Sequence, residues 1–200
     1  MVIALKENNK VYAAVSANAA LVNMSRKDMV LDDNLPIWKV PGHKGWYVMC
    51  TKLLPMVDVL RYTDGLFAKE ITHQSLIRYT IPRMKEVLGE RGLIKEKNWA
   101  NTALIFSAEK AYVLDAYFCL SELYEMETNG VQFEITRGSL EFTKGLPPKV
   151  RLREAFVAVN ESRGKDVFPV VCMDAESGKK EIWWSYEDAV SKTQKETASK

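Results

Sequence analysis

The spacing of apolar positions is typical of strands along most of the chain, and two helical stretches interrupt it. In the first 50 residues, short apolar runs are separated by polar or glycine-containing breaks, a pattern typical of strands joined by tight turns. It predicts four strands, over residues 2–5, 11–15, 37–40 and 46–49. The first two strands predict a β-hairpin at the beginning of the sequence.

The spacing becomes helical between residues 51 and 91. A first helix is predicted with Thr51 as its N-cap and Gly65 as its stop, and a second helix follows Thr72. Pro82 lies inside the second helix and predicts a kink or an early break there. The apolar residues that set this helical spacing are Leu53, Val57, Leu60, Ile77, Ile81, Met84 and Leu88.

The second half of the chain repeats the order of strands and then helices. The predicted elements are strands at 102–106 and 111–115, a further run at 118–126, a helix after Gly130 carrying Leu140 and Phe142, a helix after Pro147-Pro148, and strands at 167–173 and 181–185. Antiparallel hairpins interrupted by helix pairs predict two sheets packed face to face, with helices on their outer faces. We expect a single domain over residues 1–190 and a disordered polar tail over residues 191–200.

Composition narrows the possible functions. With 47% hydrophobic residues among 200, the chain can form a core without disulfides or metals. Its net charge of +2 gives no basis for binding nucleic acid or an anionic membrane. The cysteines and histidines are few and lack metal-ligand spacing, and no glycine-rich phosphate loop occurs. We therefore expect no cofactor and no metal, and a cytoplasmic location without a membrane segment.

Several stretches together resemble the N-terminal nucleophile hydrolases, and most of all their proteasome β-type branch. They are Val11-Tyr-Ala-Ala-Val-Ser16 at the second strand, Ile37-Trp-Lys-Val-Pro-Gly42 at the third, residues 144–155 at the last long helix, and Asp174-Ala-Glu-Ser-Gly178. The resemblance covers residues 2–186. It implies an α+β fold, a four-layer αββα sandwich of two antiparallel sheets.

The same resemblance implies where chemistry would lie. The family uses an N-terminal Thr, Ser or Cys as nucleophile, with a lysine at the start of the third strand and an aspartate at the end of the second. Here the nucleophile position falls on Met1 or Val2, the aspartate on Val15 and the lysine on Pro36, and none of these side chains can do that work. A serine of the family's third helix is replaced within Gly130-Val-Gln132. Because only Met1 precedes the first strand, we expect no propeptide cut that exposes a nucleophile.

Two polar residues of the family pattern remain, Asp174 and Ser177, although Asp-x-x-Ser-Gly is also an ordinary hairpin turn. Cys50, at the end of the fourth strand, could act as a nucleophile if it met His73, but a buried structural cysteine is the commoner role. The adjacent Trp183 and Trp184 should face opposite sides of a strand, and could pack internally or form a partner surface.

Three functional hypotheses follow. The first is a catalytically degenerate proteasome-like protein with a binding or assembly role, which self-associates through its helices as the family does and accepts a peptide or protein partner. The second is an active amidohydrolase or peptidase with Cys50 as nucleophile. The third is a binding module for a small molecule or peptide that shares only the architecture.

Overall fold

The fold contains two five-stranded antiparallel sheets. The computed structural model describes residues 1–17, 35–51, 54–94, 98–99, 101–128, 133–163 and 167–198. Its strands are β1 (Val2–Glu7), β2 (Lys10–Ser16), β3 (Ile37–Lys39), β4 (Tyr47–Cys50), β5 (Ala103–Phe106), β6 (Ala111–Leu114), β7 (Leu120–Glu122), β8 (Met126–Thr128), β9 (Val170–Asp174) and β10 (Lys180–Trp183). The first sheet has the order β10-β9-β2-β1-β8 and the second has the order β3-β4-β5-β6-β7.

Helices cover the outer face of each sheet. They are α1 (Leu54–Arg61), α2 (His73–Ser75), α3 (Ile81–Glu90), α4 (Phe133–Phe142), α5 (Pro148–Arg163) and α6 (Tyr186–Ala198). Helices α1 and α3 pack on the second sheet, and α4, α5 and α6 pack on the first sheet.

The core lies in three layers, which follow from the alternation of side chains along each strand. On β1, Val2 and Ala4 face the core between the sheets, whereas Ile3 and Leu5 face the helices. On β5, Leu104 and Phe106 face the core between the sheets, and Ala103 and Ile105 face the helices on the other side. The sequence-based prediction of an α+β sandwich of two antiparallel sheets is therefore confirmed.

Pro82 does not break its helix. Instead, α2 continues through a π-helical turn (Leu76–Thr80) directly into α3, with Pro82 in the first turn of α3. A proline disrupts the backbone bond to the carbonyl four residues earlier, and a wider turn just before it accommodates that loss. At the start of this helix Thr72 forms a capping box with Ser75, whose amide donates to the Thr72 hydroxyl at 3.1 Å.

The apolar run at 118–126 forms two short strands rather than one. Strand β7 pairs with β6 in the second sheet, and β8 pairs with β1 in the first. The chain crosses between the two sheets here. The helix predicted after Gly130 is α4, in which Leu140 is buried, whereas Phe142 is 92% exposed. Gly130, like Leu53, lies outside the described residues.

The prediction of a disordered tail is wrong for residues 191–198, which belong to α6. Ion pairs hold this helix onto the domain, because Glu196 lies 2.8 Å from the buried guanidinium of Arg153 and Lys192 lies 3.6 Å from Glu181. A polar sequence can thus be ordered by charges that distant parts of the chain supply. The assignment of residues 1–190 to one domain stays a prediction.

Candidate functional site

The beginning of β1 is the position at which the resemblance places a nucleophile. Val2 pairs with Val15 across β1 and β2, and both side chains are buried, with Val2 only 3% exposed. Pro36 is buried as well, and its neighbours Leu35 and Ile37 belong to the same apolar cluster as the two valines. All three positions therefore contribute to or adjoin one apolar core region, and none of their side chains can hold or transfer a proton.

Polar groups near the beginning of β1 are engaged in backbone pairing. The Met1 carbonyl accepts from the Ser16 amide at 2.9 Å, and the Ala17 amide donates to the Pro169 carbonyl at 2.8 Å. The Ser16 hydroxyl donates to the Val167 carbonyl at 2.6 Å. Ser16 was not among the predicted site residues, although a serine directly after an apolar strand could have drawn attention to it. Its hydroxyl hydrogen is directed to a carbonyl, so this geometry ties two segments together and does not activate a nucleophile.

Asp174 and Ser177 form the turn between β9 and β10. Asp174 Oδ1 accepts from the Glu176 amide at 3.0 Å and from the Ser177 amide at 3.4 Å, and the Gly178 amide donates to the Asp174 carbonyl at 2.9 Å. The Ser177 hydroxyl oxygen accepts from the Lys179 amide at 3.2 Å. These contacts are those of an Asx turn, in which the aspartate stabilises the local backbone.

This turn is remote from the beginning of β1. Asp174 pairs with Tyr12 on β2, whereas Val2 pairs with Val15, which is three residues further along β2. Three residues of strand span about 10 Å. The structure thus does not bring Asp174 and Ser177 together with Val2, and a role for them in a site stays a prediction.

Cys50 lies on the outer face of the second sheet, at the end of β4. Its side chain is 1% exposed and packs in the cluster beneath α1 and α3. Burial raises the pKa of the Cys50 thiol well above its usual range, and the nearby Arg61 guanidinium offsets only part of that rise. A thiol must ionise to attack a carbonyl, so this environment opposes nucleophilic chemistry.

His73 does not reach Cys50. It is exposed at the start of α2, and its ring lies 6.1 Å from the ring of Tyr112 on β6. Strand β5 separates β6 from β4, so Tyr112 is about 10 Å from the Cys50 strand across the sheet. In addition, the register places Cys50 level with Leu114, not with Tyr112. The predicted Cys-His pair is not assembled by these elements.

The two tryptophans divide between faces as the strand alternation predicts. Trp183 is fully buried against α5, with the Phe156 ring 6.3 Å away and the Arg153 guanidinium 5.2 Å from its ring centre. Trp184 packs against the core between the sheets. Both are engaged in internal packing.

Within the described ranges, no group of three or more His, Cys, Asp or Glu side chains has a geometry that could hold a metal ion. Across those same ranges, no helix combines the length and apolar character needed to cross a membrane.

Comparison with solved structures identifies the class of fold. Thiobacillus denitrificans BPH superposes with a TM-score of 0.66 at 13% identity, over 88% of this chain and 98% of that chain. The same protein in complex with epoxomicin gives 0.63 at 16% identity, with the same coverage of both chains. Anbu (ancestral beta-subunit) from Yersinia bercovieri gives 0.63 at 10% identity, over 99% of this chain and 95% of that chain.

No protein-family model and no curated protein matches the sequence. The structural likeness nevertheless extends over nearly the whole chain. The chain has the proteasome-like N-terminal nucleophile hydrolase fold.

Proposed function

We propose that this chain is a catalytically degenerate, proteasome-like protein with a binding or assembly role. The observation that carries the proposal is the buried pair of Val2 and Val15, at the positions where the resemblance places the nucleophile and its supporting aspartate. Covalent catalysis needs a heteroatom and a group that activates it. Two packed valines supply neither, and Pro36 replaces the lysine.

The alternative of an amide hydrolase that uses Cys50 has less support. The thiol is buried in an apolar layer, its pKa is raised, and His73 is directed to another strand. Hydrolysis of simple amide or peptide substrates that disappears in Cys50→Ala would favour this alternative over the first proposal.

Reaction with epoxomicin tests the loss of the nucleophile. The purified full chain is incubated with the inhibitor and its intact mass is measured, with Thiobacillus denitrificans BPH as the positive control. We expect no adduct on this chain. A stoichiometric adduct on its first residue would overturn the proposal.

Self-association through the outer helices belongs to the same proposal. The name of one structural neighbour describes it as a subunit. On this chain, Phe142 at the end of α4 is 92% exposed, and a groove of about 350 Å³ between α4 and α5 is lined in part by Ile135 and Val157. The same groove is lined by Glu134, Glu154 and Glu161, so a chain that covers Phe142 here would contact both apolar and acidic side chains.

Sedimentation over a range of concentrations tests this surface. We expect oligomers of the unmodified chain that dissociate in Phe142→Ser but persist in the control Tyr62→Ser, which removes another exposed aromatic on α1's side of the molecule. A strict monomer at high concentration would remove self-association from the proposal.

The free cysteines Cys50, Cys119 and Cys172 support the expected cytoplasmic location, where thiols stay reduced.

A further inference from the structure

A charged cavity lies at the end of β1 that is remote from Val2. Its volume is about 530 Å³, within the range of small-molecule sites. The cavity lies where strand β1 meets the residue before β8, the end of α4 and the start of α5. The charged residues that line it are Lys6, Glu7, Glu125, Glu141, Lys144 and Arg151.

Arg151 forms the buried part of this cavity's wall, with only 6% of its side chain exposed. Its Nη2 donates to the Leu140 carbonyl at 2.8 Å, and its Nη1 lies 3.4 Å from Glu7 Oε2. Among the described residues, Arg151 Nε and Glu7 Oε2 have no hydrogen-bond partner. Because buried polar atoms are almost always hydrogen-bonded, this incomplete pair has the capacity to bind a further group.

A group that completes the pair must both accept and donate a hydrogen bond. The guanidinium of Arg151 needs an acceptor, and the carboxylate of Glu7 beside it needs a donor. The side chain of Glu7 is 31% exposed, so it can turn away from Arg151 and make room between them. A ligand that satisfies both groups carries a negative and a positive group on neighbouring atoms.

The remaining charges favour a zwitterion over a simple anion or cation. Lys144 lies on the same cavity and makes no ion pair within the described part of the chain, while Glu141 is engaged by Arg137 at 3.0 Å. A phosphate or a dicarboxylate would face the carboxylates of Glu7 and Glu125, and a polyamine would face Arg151 and the lysines. Only a ligand with both signs finds a counter-charge for each of its groups.

We propose that this cavity binds a zwitterionic small molecule of the α-amino acid class. The ligand carboxylate takes the place of Glu7 beside Arg151 and lies within reach of Lys144, and the ligand ammonium contacts the displaced Glu7. The proposal is independent of the loss of the nucleophile at Val2, since the two features lie at opposite ends of β1.

Calorimetric titration of the full chain tests the proposal. The twenty common L-amino acids are first screened at about 10 mM for a rise in melting temperature, because a ligand that binds the folded state stabilises it. The best ligand is then compared with its N-acetyl and amide forms, which lack the ammonium and the carboxylate respectively. We expect saturable binding of the free amino acid and at least about tenfold weaker binding of each blocked form.

Two variants locate the site. Glu7→Gln keeps the size of the side chain and removes its charge, and we expect it to weaken binding about tenfold. The control is Glu176→Gln, which removes an exposed carboxylate paired with Lys10 outside the cavity and should leave the affinity unchanged. Circular dichroism confirms that both variants are folded.

The absence of saturable binding by all twenty amino acids would overturn the proposal. Equal binding of the blocked forms, or unchanged affinity in Glu7→Gln, would also overturn it. None of these results alters the outcome expected with epoxomicin, so the two proposals fail separately.

Discussion

The two ends of strand β1 differ in what surrounds them, although a single short strand joins them. At the first end, Val2 and Val15 are packed among apolar side chains between the sheets. At the other end, Glu7 lies beside the buried guanidinium of Arg151 and a cavity lined by charged residues. The end to which the resemblance assigns chemistry carries apolar side chains, whereas the end without an assigned role carries a buried charge. A fold therefore locates a position for a site, but only the side chains there decide its chemistry.

The largest expected effect comes from placing a charge at the apolar end. Val15→Asp buries an uncompensated carboxylate in a fully enclosed position, and we expect it to lower the free energy of unfolding by more than about 4 kcal/mol. The control Val15→Thr, which adds only a hydroxyl, should cost about 1–3 kcal/mol. Urea denaturation followed by circular dichroism measures both. If Val15→Asp cost less than Val15→Thr, the first end of β1 would be a polar environment and the comparison would fail.

The second prediction concerns the charged end. Arg151→Ala removes the partner of Glu7 and the donor to the Leu140 carbonyl, and we expect a loss of about 2–3 kcal/mol, discounted because Glu7 is partly exposed. Glu7→Gln should cost less than about 1 kcal/mol, since Arg151 keeps its bond to the carbonyl. The same denaturation experiment separates the two variants. Equal losses would show that the Arg151 side chain contributes only through its ion pair.

Part of this arrangement can be predicted from sequence. The alternation of Val2, Ile3, Ala4 and Leu5 between two apolar layers follows from the strand period, and so does the division of Trp183 and Trp184. The order of strands and helices then predicts the sandwich. These features depend on local spacing, which a single sequence contains.

Other features depend on contacts between distant segments, and no local pattern predicts them. Arg151 and Arg153 lie two residues apart on α5, so their side chains point to different sides of the helix, yet both are buried. Both sides are covered because α5 packs against the first sheet and its neighbouring helices. The two guanidinium groups can be buried there because carboxylates from other elements pair with them. Glu7 pairs with Arg151, and Glu181 and Glu196 pair with Arg153. The ordering of α6 has the same origin, and so does the cavity at Arg151.

The third prediction tests whether the retained Asp174 turn is structural. Gly178 has a φ of +67°, and a Cβ added there would lie 2.7 Å from the Tyr47 hydroxyl oxygen. We expect Gly178→Ala to cost about 1–2 kcal/mol, from both the left-handed backbone and this close approach. In a Tyr47→Phe background the close approach is removed, so the cost should fall toward that of the backbone alone. A cost that is unchanged by Tyr47→Phe would show that the turn moves freely away from Tyr47.

The smallest expected effect concerns Cys172, which lies level with the apolar end of β1 but on the helix-facing side of the first sheet. Cys172 pairs with Ala14 on β2 and faces the helices, and burial raises the pKa of its thiol to about 12. In the unfolded chain the same thiol ionises near pH 8.5. The folded state therefore holds a proton that the unfolded state has lost, so stability is unaffected below about pH 8 and falls as the pH rises above it.

We expect this cysteine to account for about 1 kcal/mol of the stability lost between pH 8 and pH 9.5. Cys172→Ala changes the stability at every pH because it removes a buried side chain, but it should reduce the loss between those two pH values. Urea midpoints of both proteins at each pH measure the difference. An identical loss in Cys172→Ala would mean that the thiol ionises as easily in the folded chain as in the unfolded one, and that water reaches this part of the sheet.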